Sequence, residues 1–276
     1  MIRHRSKIGD HALVSIFVST VDAFTDQPFS GNPAAVCVLD GPADETWMQQ
    51  VAMEMNLSET AFVYPDGDLW NLRWFTPTVE VDLCGHATLA ATHVLATQFD
   101  QTGTIRYTTR SGILAAQALD DVIILDFPAD PSRRADAPQG LLAALGVPEG
   151  TPVRQGRSNY LIAIETEKEV RNLTPVFNLL RRVTTNGVIV TAPADADRVY
   201  DVASRFFHPG IGIDEDPVTG AAHCTLSSYW SARLERDRLR YVQVSARGGE
   251  LEVARVGERV EITGQAVTTM RGEILV

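Results

Sequence analysis

Short apolar runs of strand length alternate along this chain with stretches of helical spacing, and the same order comes round twice. Residues 12–18 are apolar enough to open the fold as a strand. Gly31-Asn32-Pro33-Ala34-Ala35-Val36-Cys37-Val38 reads as a turn running into a buried strand, and residues 157–164, around Asn159, read the same way. Helical spacing follows in each place, at 44–55 with Trp47, Met48, Val51, Ala52 and Met55 as its apolar positions, and at 173–182. Strands are predicted next at 60–64 and 187–191. A further strand carries Arg73-Trp74-Phe75-Thr76-Pro77, and its counterpart carries Arg205-Phe206-Phe207-His208-Pro209.

Helices at 86–96 and 221–233 continue the two copies. Both are built from Ala, Thr, Ser, Cys and Leu without a strongly charged face, which predicts that sheet encloses each on most sides. Three strands then complete each copy, at 105–109, 110–114 and 122–127 in the first and at 239–244, 247–251 and 259–263 in the second. Residues 126–152, rich in Pro and Asp with a short helix at 141–145, read as the linker, and 266–276 as one closing strand. The pattern predicts an α/β (α+β) fold of two pseudo-symmetric halves, each a curved, mostly antiparallel sheet wrapped around a central helix. Residues 12–127 plus 266–276 form one half and 128–265 the other, with the expected active-site cleft between them.

Composition narrows the function. With 276 residues and 45% hydrophobic content, each half can bury a core. A net charge of −11 argues against a nucleic-acid or anionic-membrane surface, so any anionic substrate must be held by local donors. The three cysteines, Cys37, Cys84 and Cys224, form no CxxC pair and suit a reducing compartment. A basic start at 1–7 precedes the apolar residues 12–18, but that run is short and broken by Ser15. It reads better as a strand than as a signal peptide, and no segment has the length of a membrane span. The expectation is a cytoplasmic protein.

Differences between the copies point to chemistry, because scaffold should recur while a catalyst needs one copy. Glu59 falls opposite Asn186, and His86 opposite Ala221. Asp216 lies in an insertion between the Arg-x-Phe-x-Pro strand and the glycine that follows it, with no counterpart. Each also has an ordinary reading: Glu59 as a solvated carboxylate, Asp216 as a helix cap before Pro217, His86 as a local hydrogen-bonding residue of a first helical turn. Together, two carboxylates and an imidazole beside shared elements make an acid–base set.

The helix starts Gly85-His86-Ala87-Thr88 and Gly220-Ala221-Ala222-His223 add backbone N–H groups and dipole ends suited to an anion. Elsewhere the motifs are silent. His86 with His93, and His208 with His223, lack the spacing of a His-x-x-x-His metal pair. No strand–GxGxxG–helix unit, P-loop or Gly-x-Ser-x-Gly elbow occurs. The residues indicate no metal, nucleotide or acyl-enzyme chemistry, which leaves an acid–base reaction with no cofactor.

Four motifs in order carry a resemblance: Ser30-Gly31-Asn32-Pro33-Ala34-Ala35-Val36, Asn56-Leu57-Ser58-Glu59-Thr60-Ala61-Phe62-Val63, Asp82-Leu83-Cys84-Gly85-His86-Ala87-Thr88 and Glu215-Asp216-Pro217-Val218-Thr219-Gly220-Ala221-Ala222-His223. Over nearly its whole length the chain resembles the PhzF (phenazine biosynthesis-like) family. The resemblance implies the diaminopimelate-epimerase-like fold and a homodimer. The family's type enzyme isomerises trans-2,3-dihydro-3-hydroxyanthranilate without a cofactor, and its acid–base glutamate corresponds to Glu59. The histidine of the Cys-Gly-His motif corresponds to His86 and the aspartate of Asp-Pro-x-Thr-Gly to Asp216. Ser58, Gly85, Ala87, Thr219, Gly220 and Ala221 are implied to bind substrate. Ala221 departs from the family, which often has Ser there, so a substrate hydrogen bond is lost or replaced.

The leading expectation is an isomerase of a small carboxylate substrate, in which Glu59 moves a proton while His86 and Asp216 orient the substrate and relay protons. A two-thiol racemase or epimerase is the second, since Cys84 sits at one helix start. A non-catalytic small-molecule-binding protein of the same fold is the third.

Overall fold

The computed structural model describes residues 15–275. The basic start at 1–7, the first residues of the opening strand at 12–14 and the last residue of the tail lie outside the described residues. Packing groups residues 15–29, 33–123 and 266–275 into one unit, and 30–32 with 124–265 into a second. Residues 30–32 group with the second unit because Asn32 donates to Asp216 and to the carbonyl of Val218, and Arg247 donates to the carbonyls of Gly31 and Ser30.

The first unit runs β1 (Ser15–Ala23), β2 (Asn32–Val38), α1 (Glu45–Met55), β3 (Glu59–Asp66), β4 (Leu69–Phe75), β5 (Glu80–Val81), α2 (Gly85–Gln98), β6 (Gly103–Thr109) and β7 (Gly112–Leu119). Strand β8 (Val122–Pro128) leads into the second. That unit continues with β9 (Arg133–Ala135), α3 (Leu141–Leu145), β10 (Val153–Gln155), β11 (Asn159–Ala163), α4 (Glu167–Asn172) and α5 (Phe177–Val183). Then come β12 (Gly187–Pro193), β13 (Val202–His208), β14 (Ile213–Asp216), α6 (Gly220–Leu234), β15 (Arg238–Gln243), β16 (Gly249–Val256) and β17 (Arg259–Gly264). Strand β18 (Ala266–Leu275) returns to the first unit, antiparallel to β1.

The pairing pattern repeats strand for strand. In the first unit β2 runs parallel to β3, β3 antiparallel to β4, β4 parallel to β6 and β6 antiparallel to β7. In the second, β11 runs parallel to β12, β12 antiparallel to β13, β13 parallel to β15 and β15 antiparallel to β16. The fold is the expected α/β (α+β) duplication, sheet-rich and mostly antiparallel. Helix α2 packs on β1, β3, β7 and β18, and α6 on β11, β15, β16 and β17. Small side chains let the strands come close, and residues on every side of α2, from Ala87 through Leu89, Ala90 and Ala91 to Val94, are buried.

The arginine that marks the repeat is scaffold in both units. Arg73 makes a bidentate pair with Glu80 at 2.7 Å and lies over the ring of Phe75 at 5.2 Å. Arg205 does the same with Glu215, at 2.6 and 2.8 Å, and with Phe207, at 5.0 Å. Each pair ties the β4-type strand to the short strand beside it, so Glu80 and Glu215 are equivalent.

This equivalence corrects two alignments. Val81 pairs with Trp74, and Asp216 with Phe206, so Asp216 occupies the place of Val81; the extra residues precede it, in the short 3₁₀ turn Pro209–Ile211 and its continuation. Likewise Thr60 faces Phe75 and Val188 faces Phe207, which makes Gly187, not Asn186, the counterpart of Glu59. A Cβ at Gly187 would collide with the Asn159 amide and the Phe206 ring. The second unit therefore has no room for a side chain where the first has Glu59.

Three element predictions change as well. The helix expected at 173–182 begins at Phe177, because Pro175 has no N–H and disfavours helix at the residue before it. A separate helix precedes it, α4, closed by a capping box between Thr166 and Glu169. The presumed linker at 126–152 also contributes β9, which pairs with β10.

Candidate active site

Glu59 is the first residue of β3, next to the parallel strand β2, where its partner in register is Ala34. Cys84 is the N-cap of α2 in extended conformation, so His86 stands in the first turn of that helix. The hydroxyl of Thr88 donates to the Cys84 carbonyl at 2.5 Å and fixes this start. The three side chains come together within the first unit. His86 Nε2 lies 3.1 Å from Glu59 Oε2, and His86 Nδ1 lies 3.6 Å from Cys84 Sγ. All three residues are buried, with residue exposures of 8% for Glu59, 6% for Cys84 and 4% for His86.

Burial pushes the Cys84 thiol up, and the Glu59 carboxylate pushes it further. Burial opposes a charge on His86 too, yet Cys84 and Glu59 outweigh it and hold the imidazole well above its usual range. The imidazole thus presents Nε2 to the Glu59 carboxyl group and Nδ1 to the Cys84 sulfur. The solvated reading of Glu59 does not hold. The three residues also offer one donor atom each within 4.8 Å of one another, a set that could hold a metal ion. Spacing along the sequence is blind to it, because the donors come from a strand start, an N-cap and a helical turn.

Asp216 is held within the second unit. Asn32 Nδ2 donates to its Oδ1 at 2.8 Å, and the Thr219 hydroxyl donates to its Oδ2. Gln243, from β15, closes the loop: its Nε2 donates to the Asp216 carbonyl at 2.7 Å, and its Oε1 accepts from Thr219 N at 3.0 Å. Asp216 does not cap α6. Thr219 is the N-cap of that helix, with no side-chain capping bond, and Cys84 caps α2 equally without one. Both helix starts thus leave first-turn N–H groups without a capping side chain.

Of the implied binding residues, Ser58 precedes β3 and is half-buried. Gly85 and Ala87 are buried in the first turn of α2. Gly220 opens α6 buried, with half-buried Thr219 and Ala221 on either side. Gln243 is the functional neighbour that motif reading misses.

A family model described as "Phenazine biosynthesis-like protein" matches residues 21–272. This chain belongs to the PhzF family. Among its relatives is a protein of Halalkalibacterium halodurans described as an uncharacterized isomerase, 46% identical over 94% of this chain and 98% of the relative. A crystal structure of a PhzF-family phenazine biosynthesis protein from Enterococcus faecalis superposes with a TM-score of 0.89 at 41% identity, covering 95% of this chain and 100% of that one. The fold extends further, to a hydroxyproline epimerase from Agrobacterium vitis with a TM-score of 0.65 at 12% identity, covering 95% of this chain and 93% of that one. That distant likeness establishes the diaminopimelate-epimerase-like fold and nothing about the reaction. No helix among the described residues of this PhzF-family chain is long and apolar enough to cross a membrane.

Proposed function

We propose that this PhzF-family protein is an isomerase that shifts a proton on a small carboxylate substrate by general acid–base catalysis, without a cofactor. The observation that carries the reading is the buried Glu59–His86 pair at 3.1 Å. In the forward direction the Glu59 carboxylate takes a proton from carbon, leaving an enolate or dienol. His86, held protonated, supplies a hydrogen bond to the oxygen on which the charge develops, and Glu59 returns the proton to a second carbon. In the first unit, first-turn N–H groups at Gly85 and Ala87 are assigned to a substrate carboxylate and Ser58 to orienting it; in the second unit, Asp216, Thr219, Gly220 and Ala221 are assigned to substrate by the family resemblance. The name of the Halalkalibacterium halodurans relative supports the isomerase class.

The two-thiol alternative fits less well. It needs a thiol at each helix start, and Cys224 lies inside α6 with its Sγ toward the Gly220 carbonyl at 3.8 Å. Burial, with Asp130 nearby, pushes that thiol up to about 12.

The test is a screen of small amino and hydroxy carboxylates in deuterated water, following exchange at carbon by NMR. Glu59→Gln is expected to slow exchange and turnover of the substrate found by about 10²–10⁴-fold. Turnover within severalfold of wild type would remove Glu59 from the mechanism.

A further inference from the structure

We propose that Cys84, His86 and Glu59 form a reversible binding site for a thiophilic divalent cation of the zinc class. A thiolate, an imidazole and a carboxylate are the donor types zinc selects. From zinc–sulfur, zinc–nitrogen and zinc–oxygen bonds of ~2.3, ~2.05 and ~2.1 Å, two ligands of one tetrahedral ion stand about 3.4–3.6 Å apart. Cys84 Sγ and His86 Nδ1 are already 3.6 Å apart. Both belong to one rigid helix start, fixed by the Thr88 hydroxyl on the Cys84 carbonyl at 2.5 Å.

Glu59 is the adjustable member. A Glu59 oxygen, a ring nitrogen of His86 and Cys84 Sγ all lie within 4.8 Å of one another, and Glu59 Oε2 now sits 3.1 Å from His86 Nε2. Rotation about its side chain releases His86 Nε2 and turns the carboxylate toward an ion held by Cys84 Sγ and His86 Nδ1. Charge favours the complex: a thiolate and a carboxylate neutralise the dication, so a neutral group replaces separate charges in a site where each residue is less than a tenth exposed. Three protein ligands leave a fourth position for water. The binding claim stands apart from the catalytic reading. Its consequence for turnover rests on that reading, because an ion on Glu59 and His86 occupies the acid–base pair.

The experiment is titration of the full chain with cobalt(II) chloride as a spectroscopic stand-in, followed by displacement with zinc chloride. One equivalent of cobalt is expected to give a thiolate-to-cobalt band in the near ultraviolet and tetrahedral bands in the visible, all lost on adding zinc. Cys84→Ala should abolish the thiolate band and weaken zinc binding more than tenfold, while Cys37→Ala and Cys224→Ala leave both unchanged. A band that survives Cys84→Ala, or no stoichiometric binding, overturns the proposal. Should Cys84→Ala fail to fold by circular dichroism, zinc-edge X-ray absorption on the wild type decides. One sulfur at about 2.3 Å with lighter atoms near 2.0–2.1 Å is expected, and a first shell without sulfur overturns the site. Loss of turnover in Glu59→Gln bears only on the catalytic reading, since metal binding is read without substrate.

Discussion

Asp216 keeps its carboxylate in place with one donor from far along the chain, Asn32 on one oxygen, and one from the next turn, Thr219 on the other. Gln243 holds the loop that carries it through three bonds, to Asp216 O, Thr219 N and Thr219 Oγ1. Gln243→Leu keeps the volume and removes all three, leaving a backbone N–H and a carbonyl without their partner. The expected cost is about 2–3 kcal/mol of stability by urea unfolding, with a turnover loss through misplacement of Asp216. A variant as stable as wild type would show that water takes over the bonds. Asp216, Asn32 and Thr219 are legible in the sequence as members of motifs. Gln243 is legible only as an anomaly, a polar residue on the face of the predicted strand at 239–244 that Leu239 and Tyr241 turn inward. No spacing rule says what such a residue holds, because its partner sits across a turn of unpredicted shape. Cys84 and His86 are near neighbours in sequence, but their meeting with Glu59 depends on α2 packing against β3, which periodicity does not specify.

At the scale of elements, the duplicated strands and the two small-residue helices are legible because their burial imposes composition directly. Helices α4 and α5 are less so: their boundary is set by Pro175 and by a capping box, whereas apolar spacing runs through both. Glu167, first residue of α4, is an equally hidden feature, since a charged residue there reads as solvated. It is fully buried and accepts from the Tyr200 hydroxyl at 2.6 Å, Arg171 Nε at 2.7 Å and Asp195 N at 3.1 Å. Burial would raise its pKa, but these donors together pull it below the usual carboxylate value. Its contribution to stability is therefore present above the unfolded pKa and lost as pH falls through the lower folded one. Glu167→Ala should cost about 3 kcal/mol, at the low end for a buried pair because Arg171 keeps some solvent. A urea midpoint unchanged from wild type would mean the α4 latch contributes nothing.

Across the whole molecule, each unit's central helix carries a histidine whose pKa is held down, half-buried in the first unit and fully buried in the second. His93 of α2, bonded through Nε2 to the Thr268 hydroxyl at 2.9 Å, is lowered to about 4 by burial and by Arg271. His223 of α6 is fully buried, donates from Nδ1 to the Thr219 carbonyl at 2.8 Å, and is lowered to about 4 by burial against that bond's opposite pull. Both folded values lie below the unfolded value of about 6.5. The stability these groups contribute is thus present above about pH 6.5, and it is lost as pH falls toward about 4, where only the unfolded chain takes up the proton. The fully buried His223 imidazole gives a slope of about 1.4 kcal/mol per pH unit within that window. His223→Asn places an amide N–H where Nδ1–H was, so the bond to Thr219 can persist while the titration disappears. Urea unfolding at pH 7, 6 and 5 should then show a shallower loss of stability than wild type, by about one proton's slope, with little change at pH 7. An unaltered slope would assign the acid sensitivity to other groups and leave His223 a packing residue, held edge-on at 5.2 Å to the ring of Tyr241.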